Sequence, residues 1–156
     1  MPSVNKICGS LKRLCDVYGM TLEEHSRKQI QMHMAAKAIT NRLIKKLNTF
    51  TAKDTWFKYK DAYFTKLDDE PVTVEQYVDG DFIKYINNDG SIGVTASPGK
   101  KFMYEKAEAL VHFSYQESNG KLLLVDLQGS GYNLLGPVTA CPNFTVIFSH
   151  RIEMNF

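Results

Sequence analysis

Between Thr21 and Phe50, apolar residues recur every three or four positions, at Met32, Ala36, Ile39, Leu43, Leu47 and Phe50. With 3.6 residues per turn, that spacing lays one apolar stripe along a long helix. Its start is marked by Thr21-Leu22-Glu23-Glu24, in which a hydroxyl and a carboxylate three residues apart can each satisfy an orphan amide of the first turn. Arg27, Lys28, Lys37, Arg42, Lys45 and Lys46 fall largely off the stripe. They read as a solvated face, and the cations near its C-terminal end suit the helix dipole. Ahead of the helix, Leu11-Lys12-Arg13-Leu14 reads as a short strand.

Beyond the helix the pattern changes to aromatic and β-branched runs. Residues 56–67 and 71–77 read as two strands of a hairpin, joined by the acidic turn Asp68-Asp69-Glu70. Asp79-Gly80 turns into a strand over Phe82-Ile83-Lys84-Tyr85-Ile86, and Asn87-Asn88-Asp89-Gly90 opens a loop running through Ser97-Pro98-Gly99. Residues 101–115 read as a second helix with Ala107, Leu110, Val111 and Ser114 on one face, and Ser118-Asn119-Gly120 closes it. The pattern after Pro137 predicts no definite element. No repeat or linker interrupts the chain, so it reads as one domain.

The most informative run is Leu122-Leu123-Leu124-Val125-Asp126-Leu127-Gln128-Gly129. Four apolar residues bounded by a glycine predict a strand buried on both faces, with a carboxylate emerging at the rim of a sheet. Period-two alternation would put Asp126 and Gln128 on the same side. An anionic oxygen and a neutral carbonyl there could bind a hard cation such as magnesium. The competing reading is an acidic residue that merely starts a surface turn.

Composition narrows the classes. The chain has 156 residues, 44% apolar, enough for one real core. Nineteen basic and 17 acidic residues leave a net charge of +2, which gives no reason to expect nucleic acid or an anionic membrane as partner. No apolar run approaches a membrane span, and the first 20 residues lack the apolar region of a signal peptide. Cys8, Cys15 and Cys141 are odd in number and widely spaced, which favours reduced thiols and a cytoplasmic location.

Three linked blocks then carry a resemblance. They are Val74-Glu75-Gln76-Tyr77-Val78-Asp79-Gly80-Asp81-Phe82-Ile83-Lys84-Tyr85-Ile86-Asn87-Asn88, Ala109-Leu110-Val111-His112-Phe113-Ser114-Tyr115-Gln116-Glu117-Ser118, and Leu124-Val125-Asp126-Leu127-Gln128-Gly129. In order and interval they resemble the alpha-kinase family of atypical protein kinases, over roughly residues 11–140. The resemblance implies an α+β, two-lobed protein-kinase-like fold, with a small lobe over about 1–78 and a large lobe over about 79–156. It also implies ATP and magnesium as cofactors and a protein as the phosphate acceptor, at serine or threonine. By position, Asp126 and Gln128 match the family's catalytic magnesium ligands. Glu75 falls in the segment that joins the lobes and meets the adenine; from the residues alone, a strand residue facing solvent is an equal reading. Lys12 resembles the small-lobe lysine that contacts the nucleotide phosphates. Lys84 and Asn88 lie where the family has a basic, Asn-rich segment beside the nucleotide, and an ordinary turn after a strand remains the other reading. His112 matches the first ligand of the family's structural zinc.

The pattern also departs from the family. Gly136 stands where the family has an aspartate needed for the chemistry, and glycine offers no side chain to ligate metal or accept a proton. His150 is followed by no cysteine and Cys141 comes too early, so a zinc site is not expected. The family's two first strands and its final Gly-Asn-Leu segment have no counterpart, so the expected fold is incomplete at both ends, through truncation, splicing or a faulty gene assignment. Loss of an essential carboxylate commonly adds roughly 4 to 8 kcal/mol to the barrier. The expectation is therefore a weakened or inactive kinase. The alternatives are a nucleotide-binding or scaffolding pseudokinase that works through protein partners, or a fragment.

Overall fold

The structure, a computed structural model, describes residues 2–5, 19–47, 55–93 and 98–140. Helix α1 (Leu22–Leu47) begins at the expected capping box: Glu24 N–H donates to Thr21 Oγ1 at 3.1 Å, and Thr21 N–H donates to Glu24 Oε2 at 2.8 Å. Its buried positions are Ser26, His33, Ala36, Ile39, Thr40 and Leu43. The inward face is thus turned toward smaller and polar residues, leaving Met32 half-buried and Leu47 at the exposed edge. Phe50 and the expected strand around Lys12 lie outside the described residues.

Strands β1 (Pro2–Asn5), β3 (Ala62–Leu67) and β4 (Glu70–Gln76) form an antiparallel sheet in the order β1-β4-β3. The β3–β4 hairpin turns on Asp68 and Asp69, with φ of 51° and 62°. Two consecutive left-handed residues suit a tight hairpin, and aspartate tolerates that conformation better than most side chains. Glu70 belongs to β4 and pairs with Leu67 rather than standing in the turn.

One correction concerns residues 56–67, which do not make a single strand. Phe57 and Tyr59 point into the core, and β2 (Lys58–Tyr59) pairs in parallel with β8 (Asn133–Leu135) of a second sheet. The chain then crosses through Lys60 and Asp61 to the first sheet. A run of aromatic and β-branched residues suits either sheet, so its pattern does not mark the crossing. The second sheet has the order β2-β8-β7-β5, with β5 (Phe82–Lys84) and β7 (Gln128–Ser130) antiparallel. Strand β5 is shorter than expected, because Tyr85 and Ile86 turn inward and both donate their amides to Leu127 O.

A 3-10 turn (Pro98–Lys100) leads into α2 (Lys101–Glu117), which buries Tyr104, Ala107, Leu110 and Ser114, and also Lys106. Strand β6 (Leu123–Val125) packs on it, with Leu124 N–H donating to Ser114 Oγ at 2.9 Å. Leu124 and Val125, successive residues on opposite faces, are both buried, as the apolar run predicts. The partner strand is β9 (Val138–Ala140), an element the sequence pattern did not reveal. Phe57, Tyr85, Leu110, Leu124, Leu127 and Leu134 form the centre of the core between α1, α2 and the second sheet.

Candidate nucleotide site

The site begins where β6 ends. Asp126 adopts φ +53°, so the strand breaks there, Leu127 drops into the core, and the chain re-enters as β7 at Gln128. Asp126 and Gln128 are therefore not alternate residues of one strand, and the expected period-two argument does not apply. Lys84 is what relates them. It is the register partner of Gln128 across β5 and β7, and its Nζ lies 2.6 Å from Asp126 Oδ1. The same ammonium donates to Asn88 Oδ1 at 3.0 Å, while Asp126 N–H donates to Asn87 O at 3.3 Å. Four of the residues singled out by the sequence thus meet at one end of the second sheet.

Asp126 is only 8% exposed. Its Oδ1 is paired with the Lys84 ammonium, the cation this carboxylate faces. A buried carboxylate is a donor type that suits a hard cation, and Gln128, which could add a neutral carbonyl, is the register partner of Lys84. The close approach of β7 to β8 requires Gly129, since a Cβ there would lie 2.0 Å from Asn133 O.

Beside this cluster stands Gly136, with φ +48° and open space where a side chain would begin; the nearest neighbour of an added Cβ is Gln128 Nε2 at 3.9 Å. Gly136 N–H donates to Glu75 Oε1 at 3.3 Å. Glu75 is buried on β4, which removes the reading of a strand residue facing solvent. Its Oε1 also lies 3.7 Å from Nδ1 of His33, a residue that the sequence pattern did not single out for a role. The available signal was helical spacing, since His33 lies three residues before Ala36 on the buried face. Tyr59 closes the group, its ring centre 5.6 Å from that of His33 and the two planes steeply inclined. Burial, then the charges of Asp126 and Glu75, push its phenol well above the ordinary range.

The remaining candidates fall elsewhere. Lys12, Cys8, Cys15, Cys141 and His150 lie outside the described residues. His112 is exposed on α2, and no group of three or more metal-binding side chains occurs among the described residues. No helix among them is long and apolar enough to cross a membrane.

Comparison with known proteins places this geometry. Residues 10–146 match the profile of the alpha-kinase family. The transient receptor potential cation channel subfamily M member 6 of Homo sapiens is 37% identical over 71 residues, covering 46% of this chain and 3% of that protein. Member 7 of the same subfamily, also from Homo sapiens, is 38% identical over 64 residues, covering 41% and 3%. The chain therefore spans a small fraction of these relatives. Among solved structures, the alpha-kinase domain of myosin-II heavy chain kinase A in complex with AMP-PNP superposes with a TM-score of 0.64 at 18% identity, covering 83% of this chain and 47% of that one. The same domain carrying a phosphorylated aspartate gives 0.62 at 20% identity, covering 80% and 47%. The mixed helix-and-sheet fold expected from the sequence is thus an alpha-kinase fold, matched over less than half of the solved domains.

Proposed function

This chain belongs to the alpha-kinase family, and we propose that it binds ATP with magnesium as a serine/threonine protein-kinase domain whose phosphate transfer to protein is weak or absent. The observation that carries this reading is the Asp126 carboxylate, buried and 2.6 Å from the Lys84 ammonium. A buried carboxylate and a glutamine amide from the following strand are donor types that fit a magnesium ion, with Asp126 and Gln128 as its proposed protein ligands. When bound, the ion supplies charge neutralisation on the nucleotide phosphates.

The other roles belong to the chain's own groups. Lys84, held by Asn88, presents an ammonium beside the same carboxylate and can turn to a phosphate oxygen. Glu75, at the end of β4, is the group assigned to the adenine. Lys12 is the candidate for a further phosphate contact. The AMP-PNP complex of a structural relative supports an adenine nucleotide as ligand.

Weak transfer follows from Gly136, which has no side chain to hold or move the proton of an acceptor hydroxyl. That favours a second reading, a nucleotide-binding pseudokinase that acts through protein partners. Either form works in the cytoplasm and needs neither nucleic acid nor membrane.

Calorimetric titration with Mg-AMP-PNP, beside radiolabelled ATP and a mixed panel of protein substrates, tests the proposal. Binding is expected in the wild type and a loss of at least about tenfold in Asp126→Ala. Equal affinity in the two proteins, or no binding at millimolar nucleotide, sinks it. Robust labelling of substrate would instead overturn the role given to Gly136.

A further inference from the structure

We propose that the free edge of β3 is a docking site for an extended segment of a partner protein, one that carries an apolar residue flanked by carboxylates. No role given to Glu75 or Asp126 is needed for it.

Strand β3 is the last of its sheet, with β4 on one side only among the described residues. The two-residue turn at Asp68 and Asp69 makes Leu67 and Glu70 the first ladder pair. At the other end, Asp61 O accepts the Gln76 amide at 3.1 Å. Bonding toward β4 therefore falls to Asp61, Tyr63, Thr65 and Leu67, because the two edges of a strand are served by alternate residues. Ala62, Phe64 and Lys66 direct their N–H and C=O groups away from β4. No backbone hydrogen bond takes up those groups among the described residues. A row of donors and acceptors at this regular repeat matches the groups that one more strand presents.

Side chains beside that edge define what the added strand carries. Between β3 and α1 runs a groove of about 490 Å³, lined by Ile30, Met34 and Ala38 of the helix and by Ala62 and Phe64 of the strand. The α1-facing side of β3 is fixed by two contacts: the Arg27 guanidinium carbon lies 4.4 Å from the centre of the Phe64 ring, and Lys66 Nζ lies 2.9 Å from Glu23 Oε2. A strand laid along the edge would put every second side chain over the groove. Each end of the groove sets two cations against one carboxylate. Glu23 is shared by Arg27 and Lys66, while Asp61 is paired to Lys37 and lies in the field of Lys60. Arg27 and Lys37 stand ten positions apart, about 15 Å along the helix, close to the roughly 14 Å that four residues span in a strand. The match selects carboxylates at i and i+4 with an apolar residue at i+2. Exposed charges of this kind add little affinity, but they set register and partner choice.

A blocked heptapeptide, Thr-Glu-Thr-Val-Thr-Glu-Thr, and its counterpart with lysine at both glutamate positions test this on the full chain. Fluorescence anisotropy is expected to show the acidic peptide bound at least about tenfold more tightly than the basic one. Residue-resolved amide exchange is expected to slow at Ala62, Phe64 and Lys66 when the acidic peptide is added. Tyr63, Thr65 and Leu67 should change little, since they already bond to β4. That readout needs no variant. Ala62→Pro removes one outward donor and no ladder bond, so it is expected to weaken the peptide at least about tenfold with an unchanged circular dichroism spectrum. Wild-type binding by a folded Ala62→Pro overturns recognition through the main chain. Absence of binding at millimolar peptide, or binding without slowed exchange at the three outward amides, overturns the site itself. Equal affinity for the two peptides overturns the acidic partner. Slowed exchange at the same amides without peptide, growing with protein concentration, would put a second copy of the chain on the edge and overturn the partner as stated.

Discussion

Glu75 Oε1 accepts the backbone N–H of Gly136 at 3.3 Å, across 61 positions of sequence. The contact places the glycine within the group formed by Glu75, Tyr59 and His33, beside Gln128, with room for a side chain. Gly136→Asp is therefore expected to fold, because an added Cβ meets nothing closer than Gln128 Nε2 at 3.9 Å. The left-handed backbone at φ +48° costs a side chain about 1 kcal/mol, which is the expected loss of stability. Phosphate transfer from radiolabelled ATP is expected to rise by about a hundredfold or more over wild type. No gain from a folded variant would show that more than this carboxylate is missing.

Lys84 and Asp126 test the cation reading from another side. Lys84→Met keeps much of the stem and leaves the buried Asp126 carboxylate without its ammonium, at an expected cost of about 2 kcal/mol. A magnesium ion binding only the folded form adds about 2.7 kcal/mol at a hundred times its dissociation constant. Urea denaturation is expected to show a larger gain in stability on adding magnesium for the variant than for wild type. Equal gains, or none, would argue against Asp126 as a cation ligand.

Features set by neighbouring residues were the ones legible in the sequence. The Thr21 capping box and the Asp68-Asp69 turn depend on contacts within a few positions, and the Leu124-Val125 strand is marked by its own continuous apolar run. The site residues were legible through linked blocks, since Asp126, Gln128, Lys84 and Asn88 come together only after β5 has paired with β7. Their relation was read wrongly, because the left-handed turn at Asp126 breaks an alternation that spacing alone would preserve. The passage of β2 into the second sheet stayed hidden, since Phe57 and Tyr59 would look the same in either sheet. His33 and Lys106 were missed for a related reason. Each is a polar residue on a helix, and only partners from distant segments make its burial favourable.

The capping box gives an acid-sensitive element with a definite sign. Hydrogen bonds from the Thr21 amide, then the Thr21 hydroxyl, hold the Glu24 carboxyl below its ordinary value of 4.5. A carboxyl held low in the folded state contributes stability above its unfolded value, and the contribution is lost as pH falls through the folded value. Thr21→Ala removes the hydroxyl contact and is expected to melt a few degrees below wild type at neutral pH. Calorimetric scans are expected to show the gap shrinking once the pH drops below that of an ordinary carboxyl. A gap that is constant down to strong acid would mean that the Glu24 carboxylate gains nothing from the Thr21 hydroxyl.

Lys106 is the buried cation that the fold accommodates with aromatic rings rather than a carboxylate. Its Nζ lies 5.0 Å from the centre of Trp56, 4.0 Å from Phe102 and 4.9 Å from Tyr132, and it donates to Thr55 O. An ammonium taken out of water is tolerated there because the ring faces carry negative potential and the carbonyl accepts a hydrogen bond from it. Helix α2, the segment leading into β2 and the β7–β8 turn are thereby tied to one atom. Lys106→Met keeps the length and apolar stem but removes charge and donor, so packing is retained while the tie is lost. The expected loss of stability is about 2 kcal/mol. Trp56 is the chain's single tryptophan, so its fluorescence reports both the local change and the unfolding transition. A lowered urea midpoint with altered native emission is the expected result. An unchanged midpoint would mean that desolvating the ammonium cancels what the rings and the carbonyl return, leaving Lys106 no net part in holding these segments together.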